Sequence, residues 1–188
     1  MKRVELGKDF IALTAVVFAL LLLQAAGAFE GLNEWVNSSL PLMDTPLLNF
    51  LTAFGGDLFL IAFSALIVYL DWRDRKGLSL RTMAFLGAVV LGLLSVLALK
   101  FALAVPRPRP DYGTYAFPSG HTFRASIIAA YSADRWRKYS PIAWTYAVGI
   151  ALTRLLLHVH WFSDVLFSLF FAPWLYLLLK SLLGVEDE

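Results

Sequence analysis

The most constraining feature of this sequence is a series of apolar stretches that approach the length needed to cross a lipid bilayer. A helix needs roughly 20 mostly apolar residues to span about 30 Å of hydrocarbon. Six stretches come close to that length, and the fourth is short and weak. The predicted spans are residues 10–28, 47–69, 84–105, 117–133, 141–159 and 162–183. We therefore expect an all-α integral membrane protein whose residues 1–188 form one domain.

Composition excludes several other classes of protein. Hydrophobic residues make up 59% of the chain and charged residues 16%, with a mean hydropathy of +0.68, so the polar side chains that cover a water-soluble domain are lacking. The absence of Cys excludes a disulfide scaffold, a thiolate metal site and a Cys nucleophile. A net charge of +2 gives no reason to expect nucleic-acid binding.

The distribution of basic residues predicts the orientation, because Lys and Arg gather on the cytoplasmic side. Eleven of the sixteen basic residues fall on one side of the predicted topology, and the connector 29–46 on the other side holds three acids and no Lys or Arg. The eleven are Lys2, Arg3, Lys8, Arg73, Arg75, Lys76, Arg81, Arg135, Arg137, Lys138 and Lys180. Both termini are therefore expected in the cytoplasm.

The N-terminal part of the chain leaves two questions open. Residues 10–28 can be a first span or a cleavable signal peptide, because small residues follow the apolar run. The connector 29–46 can be a plain loop or a short helix at the membrane surface that rests on Leu32, Trp35 and Leu40.

Five basic residues break the charge rule, and all lie in or next to the outer halves of spans three to five. They are Lys100, Arg107, Arg109, Arg124 and Arg154. Lys100 alone can reach the interface by snorkelling. Arg107, however, follows seven residues later on almost the same helix face, before a proline-rich exit from the membrane. Asp111 is the only acid in that loop, so an anionic ligand such as phosphate can supply the missing countercharge.

A second cluster, Pro118–His121, stands just before the fourth span. A helix that begins here points free N–H groups and its positive end outward, and Gly120 lets the backbone approach an anion closely. Ser119 can act as an ordinary N-cap or offer its hydroxyl to the anion, and His121 can donate a proton near neutral pH.

The third cluster joins spans five and six. His160 and Asp164 are four residues apart, so they share a helix face, and a carboxylate on one ring nitrogen leaves the other free to attack. The planar guanidinium of Arg154 can donate paired hydrogen bonds to the oxygens of an anion. His158 and His160 could form a metal-ligand pair, but the chain has no HExxH motif and no cluster of carboxylates. We expect no metal or cofactor, and His158 is interpreted as an interface residue.

The three clusters resemble the motifs of the type 2 phosphatidic acid phosphatase (PAP2) superfamily: KxxxxxxRP, PSGH and SRxxxxxHxxxD. They occur in the family's order within residues 100–164, about a third of the chain, and Thr153 stands where the family usually has Ser. The predicted topology brings all three to the same outer surface. The resemblance implies a PAP2-like bundle of six transmembrane helices and metal-independent hydrolysis of a phosphate ester or anhydride.

The resemblance also implies a role for each motif residue. His160 would be the nucleophile that forms a phosphohistidine, Asp164 would orient it, and His121 would protonate the leaving oxygen. The implied phosphate-binding residues are Lys100, Arg107, Ser119, Gly120 and Arg154. Such fixed cations suit phosphoryl transfer, which depends mainly on positioning and charge stabilisation.

Three charged residues fall outside the motifs, and their roles stay open. Arg124 follows His121 by three residues and either pairs with an acid or contacts the substrate. Asp57 either pairs with one of these arginines or caps a helix. Arg109 is either solvated or meets the second phosphate of a diphosphate.

The predicted function is that of a lipid phosphatase of the cell membrane with its active site on the extracytoplasmic side. The depth of the site favours a lipid phosphate. The resemblance to bacterial and archaeal family members of this size implies polyprenyl diphosphate as the first choice, with phosphatidic acid or phosphatidylglycerol phosphate next. The expected partners are this lipid and the bilayer, without nucleic acid. A lipid phosphotransferase that uses the same site, or a transporter, is the alternative.

Overall fold

The computed structural model describes residues 8–185, and within that range the chain is helical with no β-strand. The helices are α1 (Lys8–Ala25), α2 (Glu30–Ser39), α3 (Pro46–Ala53), α4 (Asp57–Arg75), α5 (Leu80–Leu103), α6 (Gly120–Arg135), α7 (Ser140–Leu156) and α8 (Phe162–Leu182). Two short 3₁₀ turns, Pro110–Tyr112 and Arg137–Tyr139, lie in connections. The all-α prediction is confirmed, and Lys2 and Arg3 of the basic N-terminus lie outside the described residues.

Three segments of the described chain are long and apolar enough to cross a membrane. They are residues 46–75, which comprise α3 and α4, and the helices α5 and α8. The pair α1 and α2, bent by 91° where they meet, is a fourth candidate if it counts as one span. Because α6 and α7 have only 16 and 17 residues, the predicted six-span layout remains a prediction.

The weak apolar signal of α6 has a structural cause. This helix packs against α5, α7 and α8, and nine of its residues are buried. Ala125 and Ala129 let α7 approach closely at Ala147. A helix enclosed by other helices needs no continuous apolar surface toward lipid, so its sequence reads as less hydrophobic than that of a lipid-facing span.

The predicted second span is interrupted at Gly55 and Gly56, which separate α3 from α4. A Cβ atom on Gly55 would lie 2.6 Å from Ile150 Cγ2 and 3.2 Å from the carbonyl oxygen of His121. Only a residue without a side chain fits there, so the break rests directly on the first turn of α6. The connector 29–46 contains a helix, α2, in place of a plain loop.

Large apolar side chains are exposed around the outside of the bundle. Leu58 is 81% exposed, Ile61 63% and Phe101 68%. A water-soluble monomer rarely leaves a continuous apolar surface of this kind open to solvent. Together with the long apolar helices, this surface indicates a protein that is surrounded by lipid.

Ion pairs join the helix ends at the end of the bundle that the charge rule assigns to the cytoplasm. Buried Asp71 of α4 pairs with Arg135 of α6 at 2.6 Å and accepts a hydrogen bond from the N–H of Ser79 at 2.8 Å. Asp134 pairs with Arg81 at 2.9 Å and with Lys180 at 2.8 Å. These basic residues therefore fix α4, α5, α6 and α8 to one another.

The close packing of α5 on α6 gives a test of the fold. A Cβ atom on Gly92 of α5 would overlap the ring of Phe123 in α6. We expect Gly92→Ala to cost about 1–3 kcal/mol through overpacking. The midpoint of thermal denaturation in detergent should then fall by about 2–4 °C for each kcal/mol.

Gly149 provides the matched control, because no atom lies within 4 Å of a Cβ built there in α7. Gly149→Ala should leave the midpoint unchanged or raise it, since alanine favours a helix by up to about 1 kcal/mol over glycine. Equal shifts in the two variants would contradict this packing of α5 on α6.

Candidate active site

The turn between α7 and α8 places His160 and Asp164 in direct contact. Asp164 lies in the first turn of α8, where its Oδ2 accepts a hydrogen bond from the Trp161 N–H at 2.8 Å. The same oxygen lies 3.0 Å from His160 Nδ1. A carboxylate in the first helical turn is favoured because it caps an N–H group and complements the helix dipole. One side chain thus both starts the helix and orients the imidazole.

The other nitrogen of His160 faces a cation. Arg107 Nη1 lies 3.3 Å from Nε2, and since a guanidinium only donates, Nε2 is the accepting nitrogen and Nδ1–H donates to Asp164. The ring is 3% exposed. Burial lowers the pKa of His160 well below its usual value, and the charges of Arg154 and Arg107 add to the effect. The imidazole is therefore neutral, with its lone pair directed toward Arg107.

Lys100 lies in the last turn of α5, and Arg107 lies in the loop that follows it. Arg107 Nη1 also donates to the carbonyl oxygen of Val159 at 2.7 Å, which ties the loop to the α7–α8 turn. Lys100 Nζ donates to the carbonyl oxygens of Tyr115 and Ala116, both at 2.9 Å. The ammonium group thus holds the loop segment that leads into α6, and its predicted contact with phosphate remains a prediction.

Ser119 caps α6, as one of the two sequence interpretations proposed. Its Oγ accepts from the N–H of Thr122 at 3.4 Å, and its own N–H donates to the carbonyl oxygen of Asp164 at 3.2 Å. The second bond joins the start of α6 directly to the start of α8. The N-terminus of α6 at Gly120 therefore lies beside the residues of the third motif.

Arg154 is held by a residue that sequence reasoning missed. Its Nη1 donates to Thr52 Oγ1 of α3 at 2.8 Å, and Thr153 Oγ1 lies 2.9 Å from the same oxygen. The hydroxyl of Thr153 also donates to the carbonyl oxygen of Ile150 at 2.7 Å. Thr52 lies in an apolar segment about 100 residues from its partners, and no local pattern distinguishes it.

Arg124 forms an ion pair with Asp57, which is one of the alternatives left open by the sequence. The pair joins Arg124 Nη2 of α6 to Asp57 Oδ1 in the first turn of α4. His121, on the same turn of α6 as Arg124, interacts electrostatically with both residues and with Arg154. The two histidines of the motifs thus share a set of cations: Arg107 and Arg154 act on both rings.

Arg109 is engaged by residues outside the motifs. Its Nη2 pairs with Asp44 at 2.9 Å, and its guanidinium lies 4.6 Å from the centre of the Tyr112 ring. Hydrogen bonds from Asn49 and Arg109 hold the pKa of Asp44 below its usual value. Near this pair, His158 Nε2 lies 3.2 Å from the carbonyl oxygen of Leu40, in agreement with an interface role.

The assembled site is rich in unused hydrogen-bond donors. Arg124 pairs with Asp57, and the charges of Lys100 and Arg107 act on the carboxylate of Asp164. In the described part of the chain, the Nε atoms of Arg107, Arg124 and Arg154 are buried without a hydrogen-bond partner. Buried donors usually find an acceptor, so this arrangement is suited to an anion with several oxygens. All eight predicted site residues lie in this one region of the bundle.

Comparison with known proteins places this arrangement in a family. The sequence profile described as the PAP2 superfamily matches residues 81–184, more than half of the chain. The chain belongs to the PAP2 superfamily. The PAP2 motifs identified in the sequence all lie inside the matched region.

Curated relatives of this PAP2 protein are phosphatases. It is 28% identical over 202 residues to a lipid A 1-phosphatase of Rhizobium johnstonii, covering 90% of this chain and 77% of that protein. It is 27% identical over 155 residues to an undecaprenyl-diphosphatase of Sulfolobus acidocaldarius, covering 76% of this chain and 69% of that protein.

A solved structure shares the PAP2 fold. The transmembrane PAP2 type phosphatidylglycerolphosphate phosphatase of Bacillus subtilis superposes with a TM-score of 0.75 at 22% identity, covering 89% of this chain and 94% of that one. With the apolar helices of this chain, the likeness shows a multi-pass membrane protein with the PAP2 transmembrane fold. Within residues 8–185, no group of three His, Asp or Glu side chains is arranged to hold a metal ion.

Proposed function

We propose that this PAP2 protein hydrolyses a lipid phosphate or diphosphate through a phosphohistidine on His160. One observation carries the proposal: a neutral imidazole held by Asp164 at 3.0 Å directs its free nitrogen toward Arg107, among arginines with unused donors. The names of the relatives supply the substrate class. Polyprenyl diphosphate is the first choice, followed by phosphatidic acid or phosphatidylglycerol phosphate.

The proposed reaction has two steps at phosphorus. Nε2 of His160 attacks, the bond from phosphorus to the leaving oxygen breaks, and its electron pair stays on that oxygen, which takes a proton from His121. Water then attacks the phosphohistidine, the N–P bond breaks, and inorganic phosphate leaves as His121 accepts a proton from the water. Asp164 holds the imidazole in the reactive tautomer through both steps.

The cations would stabilise the charge on the transferred phosphoryl group. Arg107 lies within 3.3 Å of the attacking nitrogen, and Arg154 is fixed by Thr52 at 2.8 Å. Donors that are fixed before the reaction stabilise the transition state without having to reorganise. These groups can replace a metal ion in this role, so metal-independent hydrolysis is part of the proposal.

The extracytoplasmic location of the site is also part of the proposal. The catalytic candidates lie at the opposite end of the bundle from Arg81, Arg135 and Lys180, which the charge rule assigns to the cytoplasm. A site at this depth would let a lipid tail stay in the bilayer while its phosphate reaches the cations.

A phosphate-release assay on a panel of lipids tests the function. The purified chain in detergent should release inorganic phosphate from a polyprenyl diphosphate, phosphatidic acid or phosphatidylglycerol phosphate without an acceptor alcohol. EDTA should change the rate by less than about twofold, since no metal takes part.

Three outcomes would contradict this proposal. No release from any lipid would exclude the phosphatase function, and release only after a lipid alcohol is added would indicate a phosphotransferase. Loss of activity in EDTA that Mg²⁺ restores would exclude the metal-independent reaction. Membranes that lack the protein serve as the control.

A further inference from the structure

The ion pair between Arg124 and Asp57 lies beside the proposed catalytic residues without a role in the two steps described above. Its partners differ in burial: the side chain of Arg124 is 16% exposed and that of Asp57 is 71% exposed. Arg124 is therefore fixed by its surroundings, whereas Asp57 can turn toward water. An ion pair with an exposed carboxylate contributes little to stability, so it is easily exchanged.

Arg124 covers the backbone at the start of α6, where the PAP2 motif would hold phosphate. A Cβ atom on Gly120 would lie 2.9 Å from Arg124 Nη1, so the guanidinium lies directly against the start of α6. The Nε of Arg124 is buried and has no hydrogen-bond partner in the described part of the chain. The guanidinium thus keeps an unused hydrogen-bond donor next to the N–H groups at the start of α6 that are predicted to bind phosphate.

The position of Arg124 on α6 corresponds to the leaving-group side of the reaction. It follows His121 by three residues and lies on a nearby face of the helix. His121 is the proposed proton donor to the leaving oxygen. When the substrate is a diphosphate, the group beyond that oxygen is a second phosphate, whereas a monophosphate has only an uncharged alcohol there.

We propose that Arg124 binds the lipid-side phosphate of a lipid diphosphate, and that Asp57 occupies this position when that phosphate is absent. The inference rests on the function proposed above and deepens it. The carboxylate of Asp57 neutralises Arg124 while the site is free or holds a monophosphate. A diphosphate replaces it, Asp57 turns to water, and Arg124 thereby selects diphosphates over monophosphates.

The test compares two substrates that share one tail, farnesyl diphosphate and farnesyl monophosphate, with the full chain in detergent. The measured quantity is the ratio of kcat/KM for the diphosphate to kcat/KM for the monophosphate. Arg124→Gln should lower this ratio about tenfold or more, because a charge-assisted bond to one substrate alone is lost. Asp57→Asn should raise it by about threefold, because a competing anion is removed.

The pair of Arg109 and Asp44 is the matched control, because it is also an Arg–Asp pair with a partly exposed carboxylate, at 2.9 Å. Arg109→Gln should change the ratio by less than about twofold. An unchanged ratio in an active Arg124→Gln variant would overturn the proposal, and so would a large fall in Arg109→Gln. If Arg124→Gln does not fold, Asp57→Asn decides, and an unchanged ratio in that variant overturns the proposal.

Failure of this inference can be told apart from failure of the proposed function. If the unsubstituted chain releases no phosphate from either lipid, the phosphatase function is wrong and the inference falls with it. If the unsubstituted chain is active and the ratio does not respond to Arg124 or Asp57, only the inference is wrong.

Discussion

Replacing His160 with alanine is expected to abolish phosphate release, with a fall in kcat of at least about 10³-fold. Nε2 of this residue is the only nitrogen in the proposed reaction that bonds to phosphorus, so the first step cannot occur without it. Burial and the neighbouring guanidinium groups keep the pKa of His160 low, and the nucleophile is therefore neutral at the pH of an ordinary assay. Initial rates of phosphate release in detergent measure the effect.

His158 offers a matched control two residues away in the same turn. Its ring contacts the carbonyl oxygen of Leu40 and takes no part in the proposed chemistry. His158→Ala should keep kcat within about threefold of the unsubstituted chain. Because His160 is buried, His160→Gln serves as a second variant that better preserves the packing. Turnover near the normal rate in a folded His160 variant would show that another group attacks phosphorus.

Replacing His121 with glutamine is expected to slow hydrolysis of a lipid monophosphate by about 10²–10⁴-fold. An alcohol leaves poorly without a proton, and in the proposed reaction His121 supplies it. A diphosphate should lose much less, because its leaving group is a phosphate that departs readily as an anion. Measurement of kcat for farnesyl monophosphate and farnesyl diphosphate gives the comparison.

The His121 and Arg124 variants should therefore show opposite substrate patterns. Loss of the proton donor affects the monophosphate most, and loss of Arg124 affects the diphosphate most. Equal losses for both lipids in His121→Gln would contradict the assignment of this residue as the general acid. The double variant should be poor with both substrates, since each lipid then lacks the interaction on which its leaving group depends.

The cations of the site are held by neutral oxygen atoms as well as by acids. Arg107 donates to the Val159 carbonyl at 2.7 Å, Lys100 to two loop carbonyls at 2.9 Å, and Arg154 to a threonine hydroxyl at 2.8 Å. Neutral partners position a cation without cancelling its charge. The positive potential therefore remains available to an anion, as the proposed binding of a phosphate requires.

Several elements of the site could be predicted from the sequence because they are local. His160 and Asp164 are four residues apart, and they meet across the start of α8, with His160 in the turn before the helix and Asp164 in its first turn. Ser119 before Gly120 predicts an N-cap, and the cap is present. Cations within or next to apolar stretches are costly in a membrane, so Lys100, Arg107 and Arg154 indicate a functional site from the sequence alone.

Other elements depend on contacts between distant segments, and the sequence could not supply them. The residue that holds Arg154 is Thr52, and nothing near Thr52 in the sequence indicates a partner. From the sequence, Asp57 could pair with any of several arginines. The packing of α4 against α6 places it beside Arg124. The sequence already marks Gly55 and Gly56 as an interruption of the second apolar stretch, but only the fold shows that Gly55 lies against His121.

The sequence by itself determined the membrane class, the long apolar stretches and the residues of the three motifs, because hydrophobic length, charge placement and short spacings act locally along the chain. The tertiary structure decided which cation faces which nitrogen, which acid faces Arg124, and which helix is enclosed by the others. Those choices depend on how helices pack against one another, and packing joins residues that the chain keeps far apart.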